Sequence, residues 1–118
     1  MPASGKLLKK TEPYWIERRR AHRYLFSAPT EITDFPPSRV LIAPTGDLSR
    51  FGCYIETTKP FPRGTQIRIK IAHAGELFVG NGRVAFHTND GMGVAFSEVD
   101  SQEQAILDGW LAETREET

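Results

Sequence analysis

The sequence predicts an all-β domain closed by one C-terminal helix, a small antiparallel barrel with the helix packed on it. Three observations carry that prediction. About six short segments rich in β-branched and aromatic residues recur at spacings of about 8–12 residues, separated by glycine, proline, asparagine and aspartate. Within Thr65-Gln66-Ile67-Arg68-Ile69-Lys70-Ile71 the alternation is strict, with Ile67, Ile69 and Ile71 toward a core and Gln66, Arg68 and Lys70 toward water. Near the C-terminus the period changes, and Ile106, Leu107, Trp110 and Leu111 form one apolar stripe at helical spacing.

Taken in order, Tyr24 to Thr33 reads as a strand, with Pro29 implying an edge or a bend. Asp34 to Ser38 is a loop by composition, and Arg39 to Ala43 a short strand that ends at Pro44-Thr45-Gly46. Gly52 to Thr57 is the next strand, with Cys53 and Ile55 facing one way and Tyr54 and Glu56 the other. Lys59 to Gly64 is a turn cluster. Leu77–Val79 and Arg83–His87 form a strand that Gly80-Asn81-Gly82 is expected to interrupt with a bulge or bend. Asn89-Asp90-Gly91 predicts a hairpin turn, with Asp-Gly supplying positive φ angles, and Gly93 to Phe96 returns as the partner strand. Ser101 is the predicted N-cap, with Gln104 completing a capping box and Asp100 and Glu103 suiting the positive end of the helix dipole. Phe61, Phe78, Phe86, Phe96 and Trp110 are expected in the core or covering the barrel, Cys53 as a small buried side chain, and His73 and His87 exposed at strand ends. Residues 1–17 show no period and read as a flexible arm, in which the adjacent Tyr14 and Trp15 are expected to pack somewhere. The expected division is an arm at 1–17, a barrel and helix at 18–113 and an acidic tail at 114–118.

A chain of 118 residues, 39% hydrophobic and 25% charged, has room for one domain with one modest core. No run approaches the roughly 18 apolar residues of a membrane span, so no membrane insertion is expected. Leu7 and Leu8, followed by Lys9 and Lys10, are too short an apolar run for a secretory signal. A cytoplasmic location follows as the expectation. Cys53 is the single cysteine, which excludes an internal disulfide, and His22, His73 and His87 lack metal-ligand spacing. No metal or other cofactor is expected. No Ser/His/Asp or paired-carboxylate arrangement is legible, so the chain reads as a binding protein and not an enzyme.

The net charge of zero conceals a polarity. Residues 1–23 carry seven basic and two acidic side chains, and residues 98–118 carry seven acidic and one basic. The basic end suits an anionic partner and speeds the encounter with it.

Two clusters stand apart from the strand pattern. Arg18-Arg19-Arg20-Ala21-His22-Arg23 lies where the arm meets the first strand. Guanidinium forks pair bidentately with phosphate or with the O6/N7 edge of guanine, and they stack on bases. By itself such a run is more often a solvated basic linker or a nonspecific nucleic-acid patch. Asp47-Leu48-Ser49-Arg50-Phe51-Gly52 lies between two strands. Asp47 suits the N1 and N2 donors of guanine, Ser49 a base edge or phosphate, and Gly52 a sharp turn or a close ligand approach. By itself such a loop is more often an Asx- or Ser-turn with glycine in a left-handed conformation than a site.

Jointly, Arg18-Arg19-x-x-x-Arg23 and Asp47-x-Ser49-x-x-Gly52 resemble the two ligand motifs of the PilZ family of cyclic di-GMP receptors. Gly91-Met92-Gly93-Val94-Ala95-Phe96 is similar to a later strand of that family, and the resemblance covers roughly residues 17–112. It implies a six-stranded antiparallel barrel with a C-terminal helix and an N-terminal arm that wraps over the ligand. It also implies that Arg19 and Arg23 grip phosphates and the guanine O6/N7 edge, and that Asp47 and Ser49 hold guanine edges. Gly52 is then the residue that leaves room or sets the turn, and Arg18 stacks on a second guanine. The function expected is a cyclic di-GMP receptor that signals to a protein effector. The alternative is a protein-interaction module of a motility, pilus or polysaccharide system with weak or no nucleotide binding. A single-stranded nucleic-acid reader ranks last, since such readers need surface aromatics on several strands.

Overall fold

The computed structural model describes residues 23–36 and 39–117. The strands are β1 (Tyr24–Leu25), β2 (Pro29–Asp34), β3 (Val40–Leu48), β4 (Gly52–Glu56), β5 (Gln66–His73), β6 (Glu76–His87) and β7 (Gly91–Phe96), followed by helix α1 (Ser101–Glu117). All strand pairs are antiparallel. The order β3-β2-β5-β6-β7-β4 closes through a β3–β4 pairing into a six-stranded barrel, and β1 adds to β3 as a seventh strand. Closure removes the open sheet edges that a flat sheet of this size exposes.

The alternation read in β5 is the backbone of the core. Ile67, Ile69 and Ile71 are fully buried, as are Ile32 on β2, Ile55 on β4 and Phe78 on β6. Each such side chain contributes about 1.5–3 kcal/mol relative to leaving it in water. The helix covers one side of the barrel with Leu107, Trp110 and Leu111. Trp110 lies against Phe26 and Phe78 at centroid distances of 5.7 and 6.5 Å, and its indole N–H donates to Glu76 Oε1 at 3.1 Å. Glu103 Oε1 accepts the Val79 N–H at 2.7 Å, a second polar tie between α1 and β6.

Several elements differ from expectation. The segment Tyr24–Thr33 is two strands, because the chain leaves the ladder at Phe26–Ala28. There Phe26 turns inward onto Trp110 and His73. The hydroxyl of Thr45, fully buried, bridges the gap by donating to Phe26 C=O and accepting the Ala28 N–H at 3.0 Å. His73 is accordingly not exposed: it is half-buried, 4.7 Å from the Phe26 ring and 5.3 Å from Trp110.

Strand β3 does not stop at Pro44-Thr45-Gly46 but runs through to Leu48. It pairs with β2 as far as Pro29↔Pro44, then exchanges that neighbour for β1 and gains β4 on its other edge. A register shift between Thr45 and Asp47 accommodates the exchange.

Gly80-Asn81-Gly82 makes no bend; β6 is continuous over 12 residues, with its irregularity at Val84/Phe86. Gly82 is required for close packing, since a Cβ there would stand 2.4 Å from the Ala95 carbonyl oxygen. The helix begins one residue earlier than predicted. Its first backbone bond runs from Gln104 N to Asp100 O, and the Gln104 side chain donates to Asp108 instead of closing a capping box.

The hairpin turn before β7 forms, with Thr88 N–H donating to Gly91 C=O at 2.8 Å and Asp90 N–H to Thr88 Oγ1 at 3.1 Å. Positive φ angles lie elsewhere: among the described residues they occur at Ala74, Gly64 and Gly75. Ala74 and Gly75, with φ of 54° and 78°, are the two loop residues between the paired His73 and Glu76, the geometry of a type I′ turn. Alanine carries a steric penalty there that asparagine largely escapes. Ala74→Asn is therefore expected to stabilise the domain by about 0.5–1 kcal/mol, a rise in Tm of about 2–5 °C in a thermal melt.

Candidate functional site

Arg23 immediately precedes β1, and the β1–β3 register sets Leu25 opposite Asp47. That pairing brings Arg23, the last residue of the basic cluster, to Asp47. Arg23 Nη1 donates to Asp47 Oδ2 at 2.9 Å, across a sequence separation of 24. The Asp47 side chain is 17% exposed and that of Arg23 38%. Asp47 Oδ1 is shielded from solvent and accepts no hydrogen bond among the described residues. An acceptor held in that condition gains from any donor brought to it.

Thr45 sets this geometry from below. Its hydroxyl mends the break between β1 and β2, so β1 can leave the line of β2 and lie beside the last two residues of β3. The register shift between Thr45 and Asp47 falls directly beside the latter, a placement common near binding sites.

Ser49 and Gly52 close the tight β3–β4 turn. Ser49 N–H donates to Gly52 C=O at 2.8 Å, Ser49 Oγ to the same oxygen at 3.3 Å, and Phe51 N–H to Ser49 Oγ at 3.2 Å. Ser49 is fully buried and its hydroxyl is engaged in shaping the turn. Gly52 opens β4 opposite Ala95 and has no positive φ, so the left-handed option is not used. Arg50, at the tip, reaches Asp108 on α1 at 3.4 Å, with both side chains about half exposed. An exposed pair of this kind contributes at most about 1 kcal/mol, but it ties the turn to the helix. Arg18 and Arg19 lie outside the described residues, as do Arg20 and His22.

Cys53, one residue beyond Gly52, is fully buried. Burial raises its thiol well above the usual range, and the nearby Asp47 charge adds to the effect. The thiol stays protonated and unreactive. Among the described residues no group of three His, Cys, Asp or Glu is placed to hold a metal ion, and no helix is long and apolar enough to cross a membrane.

The sequence motifs miss two features of this surface. Arg50 joins the site to α1, and Tyr54, the cross-strand neighbour of Asp47, stands half-buried on the same outer face. Alternation in β4 already placed Tyr54 opposite to the inward Cys53 and Ile55, which is the signal for it. A separate recess of about 370 Å³ on β5 and β6 is lined by Arg68, Asn81 and the acids Glu98, Asp100 and Glu103. Its acidic rim disfavours an anionic ligand, unlike the Arg23–Asp47 surface.

The fold has solved relatives. The PilZ domain of CeSA from a cellulose-synthesizing bacterium superimposes with a TM-score of 0.66 at 20% identity, covering 75% of this chain and 97% of that one. The PilZ domain of YcgR from Escherichia coli, solved with c-di-GMP, gives 0.69 at 18% identity over 85% of this chain and 93% of that one. The Bacillus subtilis inhibitor of motility MotI/DgrA gives 0.73 at 16% identity over 86% of this chain, which spans about half (52%) of that protein. No curated protein sequence matches the chain. The PilZ domain family model matches residues 17–113, most of the sequence and all of the barrel, and the chain belongs to the PilZ domain family.

Proposed function

We propose that this chain is a non-catalytic receptor for cyclic di-GMP. In this reading Arg19 and Arg23 hold the phosphates and the O6/N7 edge of guanine, and Asp47 holds its N1 and N2 donors. The Arg23–Asp47 ion pair is the observation that carries the reading. Guanine presents acceptors on one edge and donors on the next, so it can replace each partner of that pair with itself. A part-exposed ion pair contributes only about 0–1 kcal/mol, so opening it costs little. Asp47 Oδ1, shielded and without a donor among the described residues, gains one in the exchange. Ser49 and Gly52 serve by fixing the turn that holds Asp47, and Ser49 reaches a guanine edge only if its turn hydrogen bonds open. Membership of the PilZ family and the ligand named for the YcgR domain support the same choice of nucleotide.

The signal then passes to a protein effector through ordering of the arm up to Arg23 on the ligand, with Arg18 stacking on a second guanine and favouring two ligand molecules per chain. A second reading, an interaction module that does without the nucleotide, draws on Val40 and Ile42. These lie side by side on the outer face of β3, 61% and 69% exposed.

Calorimetric titration separates the two. Saturable binding of cyclic di-GMP is expected with Kd on the order of 0.1–10 μM, about −7 to −10 kcal/mol, and no saturation by GMP over the same range. Its stoichiometry reads the role given to Arg18. Absence of saturable binding up to about 100 μM leaves the interaction module as the function.

A further inference from the structure

Beyond the two motifs, the register of five strands sets a row of residues across the outside of the barrel. Leu25 faces Asp47, Asp47 faces Tyr54, Tyr54 faces Gly93, and Gly93 faces Phe86. Their sequence neighbours Leu48, Cys53, Ile55, Met92 and Val94 point inward and are fully buried, which places the row on the outer face.

Two glycines on β7 let the aromatic rings of this row lie down on the sheet. A Cβ on Gly91 would stand 2.7 Å from Cε2 and Cζ of Tyr54, and a Cβ on Gly93 would stand 2.2 Å from the Phe86 ring. The rings therefore occupy the space above the glycine backbone. They lie 6.3 Å apart between centroids with their planes 29° from parallel. The far end of Tyr54 is pinned by a hydrogen bond of 2.9 Å between its hydroxyl and Thr88 Oγ1 at the β6–β7 turn. Tyr54 is half-buried, one strand away from Asp47, a lateral step of about 4.8 Å.

A ring bedded on backbone, pinned at its hydroxyl and still partly open to solvent is a flat π surface that loses little side-chain freedom when something stacks on it. Every nucleobase has a π face, whereas hydrogen-bond donors and acceptors distinguish one base from another. An aromatic ring in this place thus adds affinity, and the choice of base stays with Arg23 and Asp47.

We propose that Tyr54 is a stacking residue of the site, its ring taking the face of a purine of the dinucleotide held by Arg23 and Asp47. The proposal rests on the reading that the chain binds cyclic di-GMP. It also gives Gly91 a purpose in the site: it sets the height of the Tyr54 ring under the base.

The test compares wild type, Tyr54→Phe and Tyr54→Leu by calorimetry with cyclic di-GMP, and records the guanine H8 resonance of the bound ligand. Thermal melts confirm that each variant is folded. Tyr54→Phe keeps the ring and is expected to bind within about 3-fold of wild type; Tyr54→Leu removes it and is expected to bind roughly 10-fold or more weakly. The upfield ring-current shift of H8 is expected in wild type and Tyr54→Phe and lost in Tyr54→Leu, a readout that a structural role alone does not move. Should Tyr54→Leu fail to fold, Tyr54→Ile, which lacks the ring and suits a strand, takes its place in both measurements. Wild-type binding with an unshifted H8, or with Tyr54→Leu within about 2-fold of wild type, overturns the stacking role and leaves the receptor reading standing. No binding by wild type overturns the receptor reading itself, and the stacking role with it.

Discussion

Replacing Arg23 by alanine is expected to weaken cyclic di-GMP binding by about 10- to 150-fold or more while leaving the domain folded. The estimate follows from a charge-assisted hydrogen bond being worth about 1.5–3 kcal/mol, with more lost where the guanidinium makes a bidentate pair. Stability is expected to change far less. Arg23 stands outside the core at the head of a two-residue strand, and its ion pair with Asp47 is partly open to water. Its removal costs about 0–1 kcal/mol of folding free energy. The measurement is therefore a pair: calorimetry for the ligand and a thermal melt for the fold. A variant that loses its melting transition together with binding makes Arg23 a structural residue and refutes the role assigned to it. A variant that melts normally and binds as wild type shows that the nucleotide is held elsewhere. Salt adds an internal check, because a contact between guanidinium and phosphate weakens as ionic strength rises.

Trp110→Ala is expected to produce the largest loss of stability among single changes to the helix, about 3–5 kcal/mol. Trp110 is 1% exposed and makes ring contacts with Phe26, His73 and Phe78. Its truncation opens a cavity at the join of barrel and helix, and it leaves Glu76 Oε1 without its indole donor. A domain of this length has on the order of 6–18 kcal/mol in total, so Tm is expected to fall by about 10–30 °C. Phe26 is one of the rings that lose their neighbour, and it is the residue that follows β1. The loosened β1 is expected to carry Arg23 with it, so ligand affinity falls even at temperatures where the variant is folded. A Trp110→Ala protein that melts within about 3 °C of wild type would show that α1 adds little to the barrel.

The local periods were sufficient for most of the fold. Strict alternation around Ile67, Ile69 and Ile71 specifies β5 because a one-residue slip would turn all three isoleucines into water. The helix was equally plain, since Leu107, Trp110 and Leu111 have no other way to share a face. Turn chemistry was less decisive. Asp90-Gly91 carries the usual signature of positive φ, yet the left-handed pair is Ala74-Gly75. Gly91 is instead required by Ile55 O and the Tyr54 ring, which leave no room for a Cβ. Gly82 has the same explanation. A glycine demanded by a neighbouring strand looks identical in sequence to a glycine demanded by its own backbone.

What the sequence determined alone was the choice of candidate residues: a run of guanidinium groups, and an Asp-x-Ser-x-x-Gly turn whose donors and acceptors suit guanine. Only the tertiary structure decided that Arg23 and Asp47, 24 residues apart, meet at 2.9 Å. It also decided that Ser49 spends its hydroxyl on its own turn, and that Tyr54 stands one strand from Asp47. These facts depend on which strand pairs with which and on a bulge at Thr45/Asp47 that shifts the register. Strand pairing is a long-range choice made by the whole core, and no local period in the chain encodes it.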